Sequence, residues 1–145
     1  MEAMLASWMV WALLSAGFAA LTAIFAKAGV ASVDPDMATF VRTLVVVAAL
    51  GGLLLATGQW QAPRSLPARS SMFLVLSGLA TGASWLCYFR ALQLGEAARV
   101  APVDKLSVVL VALFAAAFLG ERLSALNWAG IALVAAGTML VAYRG

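Results

Sequence analysis

Hydrophobic positions along this chain fall in long blocks, with polar residues gathered in the gaps between them. Five blocks stand out, at 4–26, 37–57, 70–94, 97–119 and 125–143. Each holds about 18 or more mostly apolar residues, the length needed to cross the hydrocarbon core as a helix. The pattern predicts an all-α fold, an integral membrane bundle of five transmembrane helices forming a single domain over 1–145. No stretch remains for a soluble domain.

The gaps carry the expected stop and start signals. Asp34 followed by Pro35 reads as an N-cap with proline at the first helical position. The longest gap, from Gly58 to Arg69, holds Pro63, Arg64 and Pro67. Gly120 ends the fourth block, and Ser124 is placed to cap the fifth, with Leu123 and Trp128 spaced as a hydrophobic staple.

Within the blocks, several faces have a distinct chemistry. Trp8, Trp11, Ser15, Phe18, Thr22 and Phe25 are spaced three and four apart on span one. They serve either as a lipid-facing belt or as a substrate-facing wall, for which Trp11, Ser15 and Phe18 are the candidates. On the same span Ala12, Ala16 and Ala20, and Ser15, Ala19 and Ala23, form ridges that permit close helix approach. Lys27 closes this span and can snorkel. Span three carries Ser77, Thr81, Ser84 and Tyr88 in one polar row with Trp85 beside it. These hydroxyls either bond their own backbone or line a moderately polar path. Gly78 and Gly82 of the same span make a small-xxx-small pair. Span five is free of charge and small-residue-rich, a packing or dimerisation helix.

Charge changes the picture most in spans two and four. A charged residue at the bilayer centre costs roughly 3 kcal/mol on insertion scales, which marks Arg42, Asp104 and Lys105 as functional candidates. Arg42 lies about a turn and a half into span two, either snorkelling to the interface or pairing with an acid or a substrate anion. Span four also holds Pro102. If the helix starts there, Asp104 falls in its first turn and offsets the dipole, and the 18 residues from 102 to 119 reach roughly 27 Å, barely enough to cross. If it starts near Ala97, Pro102 kinks it and Asp104 sits roughly 10 Å inside. Neighbouring helical residues diverge by about 100°, so Asp104 and Lys105 are expected to face apart and to find separate partners. For Asp104 the expected partner is Arg42, as a structural lock or as a proton-coupling pair.

Composition narrows the function classes. The chain is 65% hydrophobic and 10% charged, with mean hydropathy +1.03, against about 25% charged residues in soluble domains. No glycine-rich phosphate loop is present for ATP-driven work. No cluster of metal ligands and no activated nucleophile supports an enzyme, so neither cofactor nor metal is expected. The single Cys87 cannot form an intrachain disulfide. The absence of histidine leaves carboxylates, tyrosine or water for any proton relay. The pI near 9.6 reflects basic residues at span ends, not a nucleic-acid footprint. The first span has no basic leader and is too long for a signal peptide, so it is expected to be retained.

Because the spans alternate in direction, Lys27, Arg42, Arg90, Asp104 and Lys105 all lie toward one membrane face. One chain thus reads as half a transport path, with one charged vestibule. An odd number of spans means that two such units in tandem would be inverted, as in transporters built from inverted repeats. Separate chains reach that arrangement as an antiparallel homodimer, which needs both orientations. Loops on one side carry Arg64, Arg69 and Arg122, and those on the other carry Lys27, Arg90, Arg99 and Arg144. So small a bias allows dual insertion; counting Arg42 and Lys105 as well favours one orientation with the C-terminus inside.

Several segments together carry a family resemblance: Phe25-Ala-Lys-Ala-Gly29, Ala38-Thr-Phe-Val-Arg-Thr43, the block Ser77 to Gly95, Val103-Asp-Lys-Leu-Ser-Val108, and Leu119-Gly-Glu-Arg122. The chain resembles the EamA-type members of the drug/metabolite transporter superfamily in their short five-span form. The resemblance implies secondary transport of small metabolites, often export, and a ten-helix transporter when two units combine. The expectation is a transporter in the bacterial inner membrane whose partners are lipid, a small-molecule substrate and a second copy of itself. The net positive intramembrane tally favours a substrate with an anionic group. Two other readings are a non-transporting membrane subunit or assembly factor, and a small-multidrug-resistance exporter. The second is disfavoured because span one, 4–26, has no carboxylate.

Overall fold

A computed structural model describes residues 8–61 and 65–143. Positions 4–7 of the first predicted span lie outside the described residues, as do Pro63, Arg64 and Arg144. The described residues are helical, without strands. The helices are α1 (Trp8–Gly29), α2 (Pro35–Ala56), α3 (Ala68–Leu94), α4 (Ala97–Asp104), α5 (Ser107–Phe114) and α6 (Ala125–Ala142), with a π-helical segment Ala115–Leu119 after α5. α4, α5 and the π segment together form span four, Ala97–Leu119, and all five predicted spans are present as membrane-length apolar helices. In lipid a helix is the form that satisfies every backbone polar group internally, which is why long apolar runs adopt it.

The ends are set by local chemistry. The Asp34 carboxylate accepts the amides of Asp36 at 2.9 Å and Met37 at 3.1 Å, and Pro35 opens α2. α2 closes in a Schellman motif: Gly58, at φ 68°, donates to the Leu55 carbonyl and Gln59 to that of Leu54. Ser124 accepts the Asn127 amide at 3.2 Å and starts α6. α1 and the start of α2 run a few residues past the predicted limits, as expected of apolar runs whose helices continue to the next capping residue.

The chain forms two compact units. One, Phe25–Gln93, comprises the end of α1, all of α2 and nearly all of α3. Its buried residues, Ala26, Val30, Pro35, Thr39, Phe89 and Leu92, come from the end of α1 and the residue just after it, the first two turns of α2 and the last turns of α3. Packing in this unit is therefore concentrated at one end of the helices. The other unit joins α1 as far as Ile24 to the chain from Leu94 on. In it α6 packs against α4 and α5, with Ala112, Ala115 and Thr138 buried. This is the packing role expected of span five. A Cβ added at Gly78 or Gly82 would meet nothing within 4 Å, so this small-residue face of α3 opens onto space.

Span four is interrupted. Its helix begins at Ala97, and Pro102 lies inside it. Of the two starts open on the sequence, the proline is thus interior, and it withholds the amide that would bond the Ala98 carbonyl. The ladder then tightens to three-residue bonds: Lys105 to Pro102 and Leu106 to Val103, then Val108 to Lys105 and Val109 to Leu106, at 2.9–3.0 Å. Beyond α5 the ladder widens, and Gly120, at φ 69°, turns the chain out of the membrane span while Glu121 reaches back to the Ala115 carbonyl at 3.2 Å. One span thus contains a tight turn and a wide turn, both departures that recur at functional sites in membrane helices.

Candidate functional site

The packed end of the Phe25–Gln93 unit is also its charged end. Lys27 Nζ donates to the Leu92 carbonyl at 2.6 Å. That carbonyl is among the last four of α3, which have no partner within their own helix, so the ammonium caps a neighbouring helix as well as offsetting its dipole. Arg90 Nη2 meets Asp36 Oδ2 at 2.6 Å across 54 residues of sequence. Gln93 reaches the Val33 carbonyl at 3.4 Å. These bonds tie the end of α3 to the start of α2 and to the turn before it.

Arg42 lies on the inward side of this lattice. Its guanidinium carbon is 4.1 Å from the centre of the Trp85 ring and 5.6 Å from that of Phe89. Such a cation over an indole face gains about 0.5–1 kcal/mol when exposed and about 2 when desolvated. Both residues were legible as candidates in the sequence, Arg42 for its charge and Trp85 for its place beside a polar row. Their contact was not, because it joins separate helices.

The polar row of span three is partly self-satisfied. Thr81 donates to the Ser77 carbonyl at 2.9 Å. Thr39, Thr43, Thr57 and Thr138 do the same on their own helices at 2.8 Å. Ser77 and Ser84 are exposed, while Trp85 and Tyr88 are half-buried beside Arg42's helix. The row therefore changes character along its length, from open hydroxyls to an aromatic, cation-bearing end.

In the other unit Asp104 is the last residue of α4, where a carboxylate opposes the helix dipole. Lys105 Nζ lies 3.1 Å from its Oδ2. This corrects the expectation that the two find separate partners. The backbone stays near-helical at Lys105, at φ −72° and ψ −4°, so the two side chains still leave the helix in different directions; the long, flexible lysine folds back over the carboxylate. Asp104 keeps about a third of its side-chain surface exposed.

The aromatic face of α1 is open, with Trp11 61% and Phe18 69% exposed, and Ser15 is exposed as well. Phe18 also borders a shallow apolar groove along α1, lined by Val10, Leu13, Leu14, Gly17 and Leu21. Among the described residues no group of three or more histidine, cysteine, aspartate or glutamate side chains could hold a metal.

Asp36, Phe89 and Lys27's carbonyl partner were not singled out by their sequence pattern, and Arg90 was placed in the charged vestibule without a partner. The signal that could have found them is positional. Opposite charges at the start of span two and the end of span three share a membrane face, so Asp36 and Arg90 were within reach of one another.

Comparison with known proteins agrees with this architecture. The EamA-like transporter family matches residues 6–143. A protein of Sinorhizobium sp, described as an uncharacterized transporter in the cobO 3′ region, is 61% identical over 136 residues, covering 94% of this chain and 96% of that protein. No solved structure matches the chain.

Proposed function

The chain belongs to the EamA-like transporter family, and on that premise we propose that it is a secondary transporter moving a small polar or amphipathic metabolite by alternating access. It works as an antiparallel homodimer in the bacterial inner membrane, the two five-helix units together forming a ten-helix inverted repeat. The observation that carries this reading is the interruption of span four at Lys105–Leu106, directly after Asp104. Discontinuous helices in secondary transporters place freed backbone groups and charges where substrate and coupling ion bind, and in this reading the break in span four is also the joint on which access alternates.

Two further features support the dimer. Large apolar side chains are exposed along every span, including Phe18, Leu55, Leu79, Phe118 and Leu140, a surface that lipid and a second copy can share. The Sinorhizobium relative is covered over 96% of its own length, so that protein holds one unit of this size. Proton coupling runs through Asp104: protonation removes its charge, frees Lys105 and alters the balance at the break.

Reconstitution tests the reading directly. Purified protein in liposomes preloaded with a mixture of unlabelled amino acids and organic acids is offered the labelled mixture outside. Trans-stimulated accumulation is the expected result, since an alternating carrier exchanges faster than it returns empty. Accumulation that preloading does not change indicates a channel, and inert liposomes indicate a non-transporting subunit. Reporter fusions at the C-terminus are expected on both sides of the membrane; detection on one side only removes the antiparallel arrangement.

A further inference from the structure

The cations at the packed end of the Phe25–Gln93 unit are not equivalent. Lys27 is held by a helix-terminal carbonyl and Arg90 by Asp36. The two carboxylates present are both used, Asp34 by the amides of α2 and Asp36 by Arg90. Three cations against two carboxylates leave a net positive charge, and of the three Arg42 is the one held over an aromatic ring instead of against an oxygen. Its guanidinium carbon lies over the Trp85 ring at 4.1 Å, while within its unit, among the described residues, no carboxylate or carbonyl takes a hydrogen bond from its N–H groups.

Depth separates this arrangement from ordinary snorkelling. Arg42 is seven residues past the start of α2, or about 10 Å along it. Phe89 and Trp85 are five and nine residues before the end of α3, about 7 and 13 Å from the same end. Side chains lean toward the N-terminus of their helix, which on α3 points away from that end, so the Trp85 ring lies deeper still. A snorkelling arginine would turn outward, past Phe89. Here the guanidinium is closer to the deeper ring, 4.1 against 5.6 Å. An unneutralised charge held at that depth is costly unless an anion accompanies it.

We infer that Arg42, braced on Trp85, is the substrate's anchor, and that it binds the carboxylate of an organic acid whose apolar body lies against the neighbouring aromatic rings. This rests on the transporter reading and specifies its substrate class. An arginine over an aromatic ring can stack by its face and pair through its edge, and the edge is the part that binds a carboxylate through two parallel hydrogen bonds. Lysine would supply the charge without the fork or the stacking plane.

The test is a binding experiment that does not depend on transport. Protein in phosphatidylcholine nanodiscs is titrated with acetate, butyrate, benzoate and indole-3-acetate, each against its amide, and binding is read by thermal shift. The expected result is saturable stabilisation by at least one acid, with its amide about tenfold weaker or more, the loss typical of a charge-assisted hydrogen-bonded pair. Arg42→Gln abolishes the preference for acid over amide, Arg42→Lys retains it with weaker binding, and Arg69→Gln, at the far end of α3, leaves it unchanged. Equal binding of acids and amides, no binding of any acid, or an acid preference that survives Arg42→Gln overturns the proposal. The wild-type acid–amide comparison decides the matter even if Arg42→Gln does not fold. Repeating the titration with phosphatidylglycerol present separates a lipid headgroup from a free acid. If the anionic lipid stabilises the protein through Arg42 and the acids do not compete with it, the site belongs to lipid and the proposal fails. Trans-stimulated transport of solutes that is indifferent to Arg42→Lys and Arg42→Gln sinks the anchor while leaving the transporter reading intact.

Discussion

Asp36 and Arg90 meet at 2.6 Å, joining the first turn of α2 to the last turns of α3. The contact clamps the two helices at the end where the Phe25–Gln93 unit has its core. Reversing either charge alone, by Asp36→Arg or Arg90→Asp, places like charges at the clamp and is expected to lower the melting temperature in detergent. The exchanged pair, Asp36→Arg with Arg90→Asp, is expected to recover most of the loss. A double variant that loses the sum of the two single losses would show that the two side chains act independently.

Asp34 satisfies two amides that α2 cannot satisfy itself. Asp34→Ala is expected to cost about 1 kcal/mol, while Asp34→Ser or Asp34→Asn, which keep a capping oxygen, cost less. Chemical or thermal unfolding of the three variants checks the order.

Gly120 occupies the left-handed region at φ 69°, with open space where a Cβ would lie. The penalty for Gly120→Ala is therefore conformational and not steric, about 1 kcal/mol. Gly120→Asn should cost less, because asparagine tolerates this conformation. If alanine and asparagine melt alike, the backbone at the end of span four relaxes instead.

Pro102 interrupts span four at the expense of helix stability. An interior proline is unfavourable by about 3 kcal/mol relative to alanine. Pro102→Ala is expected to raise the melting temperature by restoring the bond to the Ala98 carbonyl, and to slow transport by stiffening the joint beside Asp104. Faster or unchanged transport in a more stable Pro102→Ala protein would count against the joint as the moving part.

Asp104→Asn keeps the shape of the side chain but cannot lose a proton. It is expected to exchange substrate while losing its response to an imposed pH gradient, measured in liposomes with and without the gradient. A normal response removes Asp104 from the coupling step.

The sequence by itself determined that this is a five-span, all-helical membrane protein, because apolar block length and the cost of unpaired backbone in lipid leave no other outcome. It also determined the helix ends at Asp34, Gly120 and Ser124, since a cap or a left-handed turn depends on residues within a few positions of each other. It identified Arg42, Asp104 and Lys105, because a charge within an apolar run is conspicuous in one dimension. What the charges do was decided by tertiary structure. Lys105 folds its long side chain back onto Asp104, and a helical wheel gives only the direction in which a side chain leaves the backbone. The partners of Lys27, Arg42 and Arg90 lie 43 to 65 residues away in the chain. Only the packing of α1, α2 and α3 at one end brings Leu92, Trp85 and Asp36 to them, because partner choice in a membrane helix depends on depth and facing, which spacing along the chain does not encode.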